Sequence, residues 1–136
     1  MSPISKSKRH GRNRLFANLQ RAAWQEVEAV RRALPAPLRT RALELPVTYE
    51  PAPGRALIED GLEPDILGLY VGDAFSESAL GGDGTPAQIL LFLENLWDYA
   101  GGDSATFREE VRVTYLHELG HYLGLDEDDL TARELD

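Results

Sequence analysis

Apolar residues in the first quarter of the chain recur at three- and four-residue spacing: Leu15, Phe16, Leu19, Ala23, Val27, Val30 and Leu34. That is the period of one helix face, so the pattern predicts an amphipathic helix over residues 15–34, stopped by Pro35 and Pro37. Ahead of it, residues 1–14 (MSPISKSKRHGRNR) hold almost nothing to bury. They read as a flexible basic arm, with His10 a solvated side chain. Beyond the prolines the pattern turns β-like. Leu45–Tyr49 carries Pro46 and is followed by Pro51, which suits a sheet edge or a strand start. Residues 51–65 have turn chemistry. Ile66–Val71 (ILGLYV) then reads as a strand in which Gly68 admits close approach of a neighbouring segment. After a Gly-rich loop over 72–86, Gln88–Leu93 (QILLFL) is the most apolar run and reads as an inner strand.

Residues 94–100 predict a short helix closed by Gly101 and Gly102. The final element is the best marked. Asp103 or Ser104 can cap it, Thr106 to Glu109 fits a capping box, Phe107, Val111, Thr114, Leu116 and Leu119 supply its inner face, and Gly124 stops it. Helix, strand, strand, strand, helix, without an internal repeat, predicts one α+β domain over residues 15–136.

Composition then limits the chemistry. A chain of 136 residues with 43% hydrophobic content has the size and make-up of a single globular domain. It contains no cysteine, which excludes disulfides, thiolate metal sites and a cysteine nucleophile. Any metal or nucleophile chemistry therefore rests on carboxylates, hydroxyls and three histidines. The net charge of −9 is divided unevenly: ten basic and two acidic residues over 1–41 give +8, and four basic and twenty-one acidic over 42–136 give −17. The first reading is an Arg-rich helix face complementing an acidic body. A basic tail for an anionic partner is the second. Lys6, Lys8, Arg9, Arg12 and Arg14 have no aromatic residues between them, and the acidic body repels phosphate, so nucleic acid is not the expected partner. Nothing in the sequence forms an apolar signal core or approaches the roughly 20 apolar residues of a membrane span, so a soluble cytoplasmic protein with no membrane partner is expected.

The chemistry concentrates in HELGHYLGLDEDDL, residues 117–130. In a helix, positions i and i+4 share a face. His117 and His121 can thus present two imidazoles to one ion, at roughly 2.0–2.1 Å in the case of zinc. Glu118 lies beside that pair, where its carboxylate can act as general base toward a water activated by the ion. A catalytic zinc needs a third protein ligand. No histidine follows His121, so this ligand is a carboxylate or lies upstream, where only His10 stands. The turn at Gly124 brings Asp126, Glu127, Asp128 and Asp129 within reach, with Glu127 ten residues after His117 and Asp126 and Asp128 as alternatives. Tyr70, Tyr115 and Tyr122 could each lend a hydroxyl to stabilise a developing oxyanion, although core packing is the first reading of all three. Trp24 and Trp97 read as core anchors. Gly81-Gly82-Asp83-Gly84 lacks the Lys-Ser/Thr of a phosphate loop.

The pattern HExxHxxGxx(D/E), the Leu67–Gly72 segment, the Gln88–Leu93 run and residues 109–118 and 124–130 together resemble the small bacterial zincin-like metallopeptidases. The resemblance covers most of the chain from Leu15 onward and implies a minimal zincin-like α+β domain: an N-terminal helix, a short mixed sheet and a C-terminal HExxH helix. It further implies one Zn²⁺ ion held by His117, His121 and Glu127, Glu118 as general base, and a peptide or protein as substrate. An acid at position 127 departs from the metzincins, which carry His there, and Met1 is the only methionine, so no Met-turn exists. The competing function is a catalytically silent metal-binding module that recognises a protein partner. The sequence sets no oligomeric state.

Overall fold

One face of a 31-residue helix, α1 (Pro3–Ala33), enters the core through Leu19, Ala23, Val27 and Val30. The chain continues through α2 (Ala36–Leu43), β1 (Val47–Glu50), α3 (Arg55–Glu59), β2 (Gly68–Val71), β3 (Gln88–Phe92), α4 (Leu93–Tyr99) and α5 (Ser104–Leu123). This computed structural model describes residues 3–72 and 87–124, with side chains from Gly11 onward. The three strands form a mixed sheet of order β1-β3-β2, with β1 parallel and β2 antiparallel to β3. The apolar run QILLF therefore takes the central strand, where Ile89, Leu91 and Phe92 are buried, and the shorter, more polar runs take the two edges. The α+β class and the inner position of β3 agree with the sequence pattern.

Helix α5 is packed on two sides. Phe107, Val111, Tyr115 and Leu119, four residues apart, are buried in the core that also takes α1. Thr114, Glu118 and Tyr122, again four apart and all buried, form a second stripe. That stripe faces β2. A Cβ at Gly68 would stand 2.6 Å from the Thr114 methyl, the Tyr70 N–H donates to Glu118, and the rings of Tyr70 and Tyr122 lie 5.8 Å apart. The glycine expected to admit close approach does so, and what approaches is the HExxH helix.

Several expectations need correction. Residues 3–14, expected as a flexible arm, have helical backbone as the start of α1. Pro35 and Pro37 do not simply stop a helix; they also open α2, because proline is tolerated in a first turn whose N–H groups need no partner. The five-residue α3 lies inside the stretch read as turns and is too short to show a period. Trp24 is not a core anchor: it is 55% exposed, one residue beyond the buried Ala23 and so about 100° off the apolar stripe. Trp97 is partly buried and meets Phe107 edge-on at 5.9 Å. The N-cap of α5 is Asp103, whose carboxylate accepts from the Thr106 N–H at 2.8 Å and hydroxyl at 2.7 Å; the helix is already running at Thr106, so that residue opens no capping box.

Among the described residues the charge split shows itself in local contacts between the first and last helices. The ion pairs described between α1 and α5 join Glu26, one of the two acids of the basic segment, to Arg108 at 2.7 Å and to Arg112. Arg31 of α1 donates to the Tyr115 hydroxyl at 3.1 Å, to Glu28 at 2.9 Å and to the Leu45 carbonyl at 2.9 Å. The two helices are thus joined by local polar contacts.

Candidate metal centre

The site is built on the last two turns of α5. A helix fixed at its start by Asp103 and ended by Gly124, at φ 73°, holds its i,i+4 pairs in register. His117 and His121 accordingly face each other, with ring centroids 4.7 Å apart at 61°. His117 is half-buried and His121 is exposed to solvent. Glu118 is turned inward instead, only 8% exposed, and its Oε1 accepts from the Tyr70 main-chain N–H at 2.9 Å. The same Oε1 lies 3.6 Å from His121 Nδ1. A partly exposed imidazole pair with a carboxylate pressed between it and the sheet edge is what results.

The donor chemistry fits zinc. Two imidazoles on one helix face, with oxygen donors close by, are borderline ligands that suit this ion. Among the described residues no group of three or more His, Asp or Glu is placed to hold a metal. The third ligand expected at Glu127, and its alternatives Asp126 and Asp128, lie outside the described residues. His10 stands near the start of α1, and its side chain is likewise outside them.

The tyrosines divide by position. Tyr115 is wholly buried, with its hydroxyl bonded to Arg31 on the α1 side of the helix, and burial raises its pKa. Tyr122 is buried against Tyr70, and burial raises its pKa as well. For Tyr70 the first reading is core packing, with a stabilising hydroxyl as the alternative. Its ring packs on Tyr122, and the part of the residue that touches Glu118 is the main-chain N–H. Residue types cannot reveal such a contact, because every strand residue except proline carries the same donor. The one available signal was Gly68, two residues earlier.

An antiparallel edge strand laid over a helix that carries His-Glu-x-x-His defines a zincin-like α+β domain. The model of the zincin-like metallopeptidase family matches residues 42–136, more than half of the chain, and the chain belongs to that family. No curated protein matches it. The match begins at the end of α2, so α1 lies outside the matched residues, although Leu19, Ala23, Val27 and Val30 complete the same core. Among the described residues no helix is long and apolar enough to cross a membrane.

Proposed function

We propose that the protein is a zinc-dependent peptidase in which His117, His121 and Glu127 hold one ion, with Asp126 or Asp128 as the alternative third ligand, and Glu118 is the general base. The observation that carries the reading is the position of the Glu118 carboxylate, beside the imidazole pair and against the edge of β2. Zinc, when bound, supplies a Lewis acid that polarises the scissile carbonyl and brings the pKa of water toward about 7. The chain's own part is proton transfer and placement. Glu118 takes the proton of the attacking water and returns it to the leaving amine. Leu67 C=O accepts from Phe92 N–H at 3.0 Å, so Leu67, Leu69 and Val71 turn their main-chain groups to β3 while Gly68 and Tyr70 turn theirs to the outer edge. The Tyr70 N–H on that edge is already taken by Glu118, so a peptide added along the edge in extended form meets Glu118 at that position.

Cleavage of a peptide library, followed by mass spectrometry, tests this. The zinc-loaded wild type is expected to cut, and Glu118→Gln to keep its zinc while losing about 10²–10⁴-fold in rate, the usual contribution of a general acid–base. Undiminished cleavage by Glu118→Gln overturns the mechanism. Zinc binding with no cleavage of any library member overturns the peptidase reading in favour of the silent metal-binding module.

A further inference from the structure

We infer that the main-chain N–H of Tyr70 is the positioning group for Glu118, and that Gly68 sets the distance between them. The inference rests on the reading of Glu118 as the base. An outward amide on an edge strand ordinarily meets water or another strand. Here it meets a nearly buried carboxylate at 2.9 Å. Both contacts described for that carboxylate among the described residues fall on Oε1. The amide holds Oε1 toward the sheet, and Oε2 is the oxygen that takes the proton.

The geometry depends on how closely α5 lies on β2. Thr114 is one turn before Glu118, and Gly68 is two residues before Tyr70, so the two contacts are neighbours on the same helix–strand seam. A Cβ at position 68 would stand 2.6 Å from the Thr114 methyl, the one severe clash, and 3.2 Å from the Leu90 carbonyl oxygen and 3.3 Å from Leu91 Cδ2, both just inside the 3.4 Å at which ordinary contact begins. Relieving that clash requires α5 and β2 to shift on one another by the difference, about 0.8 Å, which displaces the Glu118 carboxylate from its place on the Tyr70 N–H. Gly68 is thus required for aim as well as for packing.

Two measurements on the full chain test this. The first is residue-resolved amide hydrogen exchange, which needs neither metal nor activity. The Tyr70 amide is expected to be protected, to exchange at least about tenfold faster in Glu118→Ala, and to stay protected in Glu118→Gln, whose side-chain carbonyl still accepts. Leu69 and Val71, which face β3, keep their protection in all three. The second is the kinetics of Gly68→Ala: kcat falls about 100-fold with KM and zinc content unchanged, the usual cost of misplacing a reacting group by about 1 Å. Adding Thr114→Ser, which removes the obstructing methyl, restores kcat to within a few-fold. Unchanged Tyr70 exchange in Glu118→Ala overturns the inference, as does full kcat in Gly68→Ala. If the wild type cleaves nothing, the peptidase reading fails while the exchange result still decides whether Tyr70 holds Glu118.

Discussion

Arg31→Met breaks the polar joint between the N-terminal helix and the HExxH helix, at a residue outside the stretch that matches the family. The Arg31 side chain is 14% exposed and makes three hydrogen bonds. The bond to Glu28 adds little, because that carboxylate is a quarter exposed and can turn to water. The other two end on the Leu45 carbonyl and the Tyr115 hydroxyl, on residues 1% and 0% exposed. Methionine keeps most of the packing of the stem and removes every donor, leaving two buried acceptors unpaired at about 1–3 kcal/mol each. The total is about 2–6 kcal/mol, or roughly 10–20 °C in Tm for a domain of this size. Urea unfolding followed by circular dichroism measures it. Tyr115→Phe removes one of the stranded groups, so the double variant should cost about 1 kcal/mol less than the sum of the singles. A loss below about 0.5 kcal/mol for Arg31→Met, the level of an ordinary surface substitution, refutes the reasoning, and so does strict additivity.

Two further outcomes concern the ends and the flank of the same helix. Burial pushes the Glu26 carboxyl up, but its bonds to Arg108 and Arg112 outweigh this and hold it below its usual value. Its contribution is therefore fully present above the ordinary carboxylate range and is lost as pH falls through the lowered value. The stability gap between wild type and Glu26→Gln should stay constant from pH 7 to about 5 and close below about 4; a gap that is flat to pH 2 contradicts this. Gly124→Ala places a side chain at φ 73° with nothing within 4 Å of its Cβ, so strain alone acts and the cost is about 1 kcal/mol. Gly124→Asn should cost less, and denaturant midpoints decide the order.

The legible part of the fold was the part in which one period governs. The spacing of Leu19, Ala23, Val27 and Val30 and the pair at 117 and 121 each follow from 3.6 residues per turn, and QILLF reads as an inner strand from its short, bounded apolar run. Elements failed where one residue carries two meanings. Pro35 and Pro37 end one helix and begin another, and the five residues of α3 show no period. Trp24 was assigned by residue type against its angular position on the helix, and position won. The charge split concealed that Glu26 and two arginines of the acidic body form the described ion pairs between α1 and α5. In the site, the imidazole pair and Glu118 could be read from spacing. The Tyr70 amide could not, because a backbone donor has no letter of its own, and neither could a choice among Asp126, Glu127 and Asp128, three adjacent acids of the same chemistry.

Zinc content of the purified protein, measured by mass spectrometry after zinc supplementation and desalting, tests the central claim most directly. One ion per chain is expected in the wild type, with substoichiometric metal in His117→Ala, His121→Ala and Glu127→Ala, and full content in Glu118→Gln. A folded wild type that retains no zinc, or a His117→Ala variant that retains a full equivalent, contradicts the account.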